Sequence, residues 1–319
     1  MPFSLSSIPY FTSSPVALVT GGTSGIGKVA VRELARHGFR VYVTARNPDK
    51  AAKLMEELSV LTIGDKDSAE PVKCDVQILR CDLMDLKSVV TVAEEFMAKE
   101  SKLDILLNNA GSMYSTYTES GDGYETTLQV NYLAPYLLTR LLVPALLAAA
   151  APRVVNVSSL VHGIAFSFNF SDPNIKKGVD MFNKGMRYAQ SKLAVILFTK
   201  HFAKLYPKIL SVAVHPGVIT DTSLYESLNS SKELLGLVKF SGWAMSKITP
   251  IAGGISVEAG ALTSLYCAVD RDLSAEKNNG EYFVPIGKRS KASSKARDPV
   301  LAEKLWIWTE EQLAAKGYL

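Results

Sequence analysis

Tyr188 and Lys192 stand four residues apart in Tyr188-Ala-Gln-Ser-Lys192, a spacing that puts a phenol and an ammonium on one face of a helix. A phenol with its ordinary pKa of about 10 is a poor acid–base group. A fixed cation beside it favours the phenolate and brings proton transfer toward the working pH. Arg153-Val-Val-Asn-Val157 leads into Ser158 and Ser159. Either hydroxyl could donate to a carbonyl oxygen as negative charge develops there. A third constellation is Thr20-Gly-Gly-Thr-Ser-Gly-Ile-Gly27. Gly21, Gly25 and Gly27 permit a tight turn, and Thr23, Ser24 and Ile26 complete a loop whose N–H groups can approach a pyrophosphate at a helix N-terminus. The spacing is G-x-x-x-G-x-G, not the commoner G-x-G-x-x-G. Gly22 to Lys28 approaches a nucleoside-triphosphate loop, but Val29 stands where the Mg²⁺-holding hydroxyl would be.

The second candidate strand ends in Thr44-Ala-Arg46-Asn47, with no acid before Asp49. A carboxylate there selects the ribose hydroxyl of NAD, whereas the Arg46 guanidinium suits a 2′-phosphate. The expected cofactor is therefore NADP(H). Asn108-Asn-Ala-Gly111 closes another strand, and Asn131 lies inside the following helical pattern, where it could instead satisfy backbone groups. Metal chemistry is not expected, because His37, His162, His201 and His215 share no ligand spacing. His162 follows Ser159 by three residues, but no G-x-S-x-G elbow surrounds either serine, which argues against a hydrolase triad.

These groups need a frame. Short apolar runs predict strands at 16–20, 40–44, 77–81, 103–107, 153–157, 210–214 and 282–284. Helices are expected through Arg36, over 48–58, 85–99, 124–150, 185–205 and 255–268. Apolar strands separated by helices predict an α/β fold: a single doubly wound Rossmann-type domain, a mostly parallel seven-stranded sheet with helices on both faces. Residues 1–15 read as an extension and 16–287 as the cofactor-binding and catalytic domain. Residues 219–254, rich in Tyr225, Leu228, Phe240 and Trp243, read as a substrate lid or as ordinary packing, and 288–319 as a basic connector and C-terminal helix. Two further interruptions are the polar stretch 62–73 and the long loop 160–184.

TGGTSGIG (20–27), Asp82, NNAG (108–111), Asn131, NVSS (156–159), YAQSK (188–192) and HPG (215–217) follow one another over residues 15–285. In that combination the chain resembles the short-chain dehydrogenase/reductase family. GIGK, TARN, the insert before RYAQSKLA and Leu305-Trp-Ile-Trp308 resemble its retinol-dehydrogenase-like branch. The resemblance implies that Tyr188 exchanges the proton, that Lys192 binds the nicotinamide ribose and tunes Tyr188, and that Ser159 is the catalytic serine. Asn131 would hold a water in the proton relay. Asp82 and Leu83 would meet the adenine, Asn47 would join Arg46, and Asn109, Ala110 and Gly111 would line the adenosine side. Pro216, Gly217 and Val218 would border the nicotinamide, with Thr220 or Thr222 reaching its carboxamide around the atypical Asp221.

Composition fits this reading. The chain has 319 residues, 47% hydrophobic and 21% charged, which excludes fibrous or largely disordered classes. Cys74, Cys81 and Cys267 make no disulfide framework and suit a reducing, cytoplasmic compartment. Residues 1–15 lack the basic start of a secretory signal, no run is long enough to span a membrane, and the N-terminal anchor of membrane-bound relatives is not expected. The net charge of +4 is concentrated in Lys288, Arg289, Lys291, Lys295 and Arg297, a stretch without aromatic residues and so not a nucleic-acid face. It reads as a solvated connector past the last strand. The expected partner is a hydrophobic small-molecule carbonyl or alcohol, met by a monomer or homodimer. The alternative is an NADP(H)-binding sensor or scaffold without chemistry, a role that usually goes with loss of the Tyr or Lys.

Overall fold

In the computed structural model, residues 3–63, 72–113, 116–177, 180–219 and 254–319 are described. Val16-Ala-Leu-Val-Thr20 forms β1, every residue buried, because helices cover both of its faces. It is followed by α1 (Gly25–Arg36), β2 (Arg40–Ala45) and α2 (Pro48–Ser59). The short antiparallel pair β3 (Thr62–Ile63) and β4 (Val72–Lys73) lies within the polar stretch 62–73, of which residues 64–71 are outside the described residues. Then come β5 (Val76–Arg80), α3 (Leu86–Lys99) and β6 (Ile105–Asn108).

The single helix expected over 124–150 is broken into α4 (Thr126–Leu128), a π turn (Gln129–Leu133), α5 (Ala134–Leu141) and α6 (Val143–Leu147). Pro135 and Pro144 are the physical reason, since neither has an N–H for the helical ladder and each falls in the first turn of a new segment. The chain continues through β7 (Arg153–Val157), a 3₁₀ turn (Leu160–Ile164), α7 (Asp180–Leu205) and β8 (Leu210–Val214). After α8 (Val257–Val269) come β9 (Tyr282–Val284), β10 (Lys288–Ser290) and a C-terminal helix (Pro299–Ala314).

The sheet has eight strands, not seven, in the order β10-β9-β8-β7-β6-β1-β2-β5. All neighbours are parallel except β9 and β10. The added strand is Lys288-Arg-Ser290, part of the basic stretch expected as a solvated connector. Its exposed Lys288 and Arg289 occupy a sheet edge, where charged side chains discourage pairing with another chain. Beyond it, Ala292 and Ala296 are buried. The lid assigned to 219–254 falls, apart from its two end residues, outside the described residues.

Val16 and Leu18 enter the core shared with α3, α5, α7 and the C-terminal helix, whereas Ala17 and Val19 enter the core under α1 and α8. The C-terminal helix is tied to α5 by more than apolar contact. Arg140 donates from Nε and Nη2 to the two carboxylate oxygens of Glu310 at 2.8 and 3.1 Å, and the Tyr136 hydroxyl donates to the same carboxylate. Burial alone would raise the Glu310 carboxyl, but these bonds outweigh it and hold the group below its usual range. Its contribution is therefore present above about pH 4.5 and lost as the pH falls further. Glu310→Ala is expected to lower stability by about 1–3 kcal/mol in urea denaturation at pH 7. The difference from wild type should shrink at acid pH.

Candidate active site

Strand order reverses between β1 and β6, so the loops leaving these two strands lie side by side at the carboxyl edge of the sheet. The Thr20 hydroxyl accepts the backbone N–H groups of Asn109 and Ala110, both at 3.0 Å. Asn109 Nδ2 donates back to the carbonyls of Thr20 (2.9 Å) and Gly21 (3.2 Å). Asn109 thus buttresses the glycine turn from behind. Gly21 takes φ +66°, a conformation L side chains rarely adopt. A Cβ on Gly27 would lie 2.3 Å from Asn109 Nδ2 and 2.4 Å from the Gly21 carbonyl oxygen. Ser24 stands exposed at the N-cap of α1, Thr23 and Gly25 are half-buried, and Ile26 turns toward Gly260 of α8.

At the ends of β2 and β5, Arg46 is exposed and its Nη1 reaches Met84 Sδ at 3.6 Å. Asp82 Oδ1 accepts from Met84 N at 3.0 Å, and Leu83 is buried beside it. Asn47, beside Arg46, also has a structural use. Its Oδ1 caps α2 by accepting from Asp49 N (2.8 Å) and Lys50 N (3.1 Å).

The catalytic candidates converge next to this cradle. Lys192 is only 3% exposed, and its Nζ donates to the Val157 carbonyl at the end of β7, 2.9 Å away. Burial pushes the ammonium down to about 8, which leaves it charged at neutral pH. Its Nζ lies 5.7 Å from the centre of the Tyr188 ring. A Cβ on Gly111 would come within 3.2 Å of that Nζ and 3.5 Å of Asn131 Oδ1, so the two side chains share the space left by this glycine. The paired serines divide their roles. Ser158 is buried and donates to the Lys192 carbonyl at 2.8 Å, which fastens α7 to β7. Ser159 is half-buried, with its Oγ accepting from Val161 N at 3.3 Å as the 3₁₀ turn begins.

Asn131 is fully engaged: Oδ1 accepts from Ser112 N (2.8 Å), while Nδ2 donates to Ser112 O (2.9 Å) and Ser191 Oγ (3.0 Å). Its backbone carbonyl lacks the usual helical donor, because the residue four places on is Pro135. Pro216 and Gly217 are half-buried and Val218 is exposed. Gly217 takes φ +104°, with a Cβ there 2.4 Å from Ile255 Cδ1. Thr220, Asp221 and Thr222 lie outside the described residues.

Sequence reasoning missed a buried ladder beneath the site. Asn108 Nδ2 donates to Asn156 Oδ1 (2.8 Å) and Thr139 Oγ1 (3.0 Å), and Asn156 Nδ2 donates to Thr199 Oγ1 (3.1 Å). Two asparagines following the apolar runs Ile105-Leu-Leu107 and Val154-Val155 were the signal. Among the described residues no group of His, Cys, Asp and Glu could hold a metal, and no helix is long and apolar enough to cross a membrane.

Fold and site define a dinucleotide-binding α/β protein with a Tyr–Lys pair at the neighbouring strand edge. A family model described as short chain dehydrogenase matches residues 15–233. The short-chain dehydrogenase/reductase drtF of Aspergillus calidoustus is 38% identical, over all of this chain and 98% of that protein. Human retinol dehydrogenase 12 is 39% identical over 91% of this chain and 84% of that protein. A solved structure of an uncharacterized protein from Mycobacterium paratuberculosis superposes with a TM-score of 0.73 at 27% identity, covering 98% of this chain and 97% of that one. The chain belongs to the short-chain dehydrogenase family, NAD(P)-dependent oxidoreductases, and resembles its retinol-dehydrogenase branch.

The glycine cradle gives a direct test. Overpacking costs about 1–3 kcal/mol, so Gly27→Ala is expected to weaken NAD(P)H binding about tenfold or more. Nucleotide fluorescence titration measures it, and unchanged affinity would place the dinucleotide elsewhere.

Proposed function

We propose that the protein is an NADPH-dependent oxidoreductase interconverting a carbonyl and an alcohol on a hydrophobic small molecule. The observation that carries this reading is the convergence of buried Lys192, Tyr188 and Asn131 around Gly111 at the strand edge beside the glycine turn. The chain fits the cofactor: Gly21 and Gly27 leave a turn too tight for side chains, and Arg46 is exposed with no acid before Asp49. In this reading the turn 21–27 holds the pyrophosphate, and Arg46 the 2′-phosphate. Asp82, Leu83, Asn109 and Ala110 line the adenosine side, and Pro216, Gly217, Val218 and Thr220 border the nicotinamide. A bound nicotinamide supplies or accepts the hydride.

Every proton step belongs to the protein. Tyr188 gives its proton to the substrate oxygen in reduction and takes it back in oxidation. Lys192, still charged at neutral pH, lowers the free energy of the phenolate. The Ser159 hydroxyl donates to the same substrate oxygen as charge develops. Asn131 serves through its main chain, because its amide is committed to Ser112 and Ser191 while its carbonyl can accept from a water. Exposed Ile164, Phe166 and Val218 support a hydrophobic substrate. Three free cysteines, Cys74, Cys81 and Cys267, suit a reducing compartment such as the cytoplasm.

Tyr188→Phe is expected to lower turnover about 10²- to 10⁴-fold, as loss of a general acid does, with NADPH binding within about twofold of wild type. Retained turnover, followed by NADPH absorbance against hydrophobic ketones and aldehydes, would sink the assignment. A hydrogen bond to a charged group contributes about 1.5–3 kcal/mol, so Arg46→Ala should cut the preference for NADPH over NADH about tenfold or more. An unchanged ratio of kcat/KM for the two cofactors would remove Arg46 from the 2′-phosphate.

A further inference from the structure

His162 lies three residues beyond Ser159 and is only 3% exposed, yet no step of the proposed reaction uses it. Both of its ring nitrogens are bonded to backbone groups that act in one direction only. Nδ1 is 2.7 Å from the Ser159 carbonyl, which can only accept. Nε2 is 3.0 Å from the Ser293 N–H, which can only donate. Together they require a neutral imidazole with its proton on Nδ1 and a lone pair on Nε2. The ring packs edge-on against Tyr282 of β9, with centroids 5.2 Å apart.

We propose that His162 is a positioning residue for Ser159, a neutral latch that ties the backbone of the proposed catalytic serine to the segment following β10. The proposal rests on the reading of Ser159 as the donor to the substrate oxygen. Ser159 opens a 3₁₀ turn, and among the described residues its Oγ is held by a long bond within that turn, accepting from Val161 N at 3.3 Å. Its carbonyl is the rigid point. His162 carries that point to Ser293, between buried Ala292 and Ala296, in a segment further pinned by Arg297 Nε donating to the Ala292 carbonyl at 3.1 Å. The C-terminal basic segment thereby holds the active-site turn without touching substrate.

An imidazolium would set Nε2–H against the Ser293 N–H and break the latch. Tyr282 of β9 and His215 after β8 face the ring, and of the elements packed on this turn α7 brings Tyr188 and Lys192, and the 3₁₀ turn after Ser293 brings Lys295 and Arg297. Burial lowers the His162 pKa below its ordinary 6.5, and burial with His162 alongside pushes His215 down to about 4. A folded value below the unfolded one means that the stabilising neutral form is fully present above pH 6.5. The contribution is lost as the pH falls below that.

The test compares His162→Ala, His162→Gln and Tyr188→Phe with wild type, using NADPH and a hydrophobic ketone. Misplacing a reacting group by a fraction of an ångström to 1 Å costs up to about a hundredfold, so His162→Ala is expected to lose about tenfold or more in kcat with NADPH affinity unchanged. Glutamine can both donate and accept, so His162→Gln should recover much of that loss and lack the wild type's fall in kcat below pH 6.5. Nitrogen NMR of labelled histidine should show the Nδ1–H tautomer in the wild-type protein. An Nε2–H tautomer would overturn the latch, as would wild-type kcat in His162→Ala while Tyr188→Phe is inactive. An active Tyr188→Phe would instead sink the reading of the reaction and leave the tautomer to judge the latch. Should His162→Ala not fold, the pH profile of His162→Gln decides, and persistence of the wild-type acid limb there counts against it.

Discussion

A lysine ammonium taken out of water is the constraint around which this site is arranged. Burying such a charge costs several kcal/mol unless a strong acceptor meets it. The acceptor is the Val157 carbonyl, and the strand pairing explains why it is available. Ser158 N–H donates to Val214 on β8, so the carbonyl of the same trans peptide points the other way, toward β6. Pairing with β6 ends one residue earlier, at Asn108 and Asn156. Beyond that point, the N–H groups of Asn109 and Ala110 turn to the Thr20 hydroxyl instead. Thr20 draws the end of β6 toward β1, and the carbonyl left over on β7 receives Lys192. The placing of the glycine turn and of the buried lysine is therefore a consequence of one parting of strands at the switch point.

Holding that parting open needs a stiff foundation, and the foundation is polar. Asn108 and Asn156 pair across β6 and β7 one layer below Lys192, and reach Thr139 on α5 and Thr199 on α7. Both threonine hydroxyls donate in turn to the carbonyls four residues back, Pro135 and Val195. Apolar side chains of similar volume would fill the space without fixing the register of two helices against two strands. The polar network fixes it, because any slip would leave further buried groups unpaired beside Asn108 Oδ1, which already has no partner among the described residues. Ser158, bonded to the Lys192 carbonyl, extends the same fastening to the turn of α7 that carries Tyr188.

Much of this was legible in the residues. The strands at 16–20, 153–157 and 210–214 fall where apolar runs between helical stretches put them, since a strand buried on both faces needs no partner information to announce itself. The glycine turn, Tyr188 and Lys192 were legible because their spacing is local. Two elements show why the rest was not. The helix around Asn131 read as continuous because its apolar pattern persists through the π turn, and Pro135 was passed over as an ordinary helix residue. The strand β10 read as connector because Lys288-Arg-Ser290 has the composition of a loop, and only its pairing with Val284, Phe283 and Tyr282 makes it a strand. A distant partner decides β10, which a local pattern does not contain, whereas the break after Asn131 is carried by Pro135 and Pro144 themselves.

The side chain and the main chain of Asn131 answer to different constraints. As a helix-interior asparagine it satisfies backbone groups, and it does so here, with both Ser112 groups and Ser191 taking up the amide. That commitment excludes the amide from carrying a proton path of its own. The main chain is another matter. Pro135 removes the N–H that would have closed on the Asn131 carbonyl, in the segment where the helix widens to a π turn. The side chain fixes the position of the residue against Ser112 and α7, and the proline leaves its carbonyl without its ordinary helical donor. Packing partners fix the one, and the sequence four residues on sets the other.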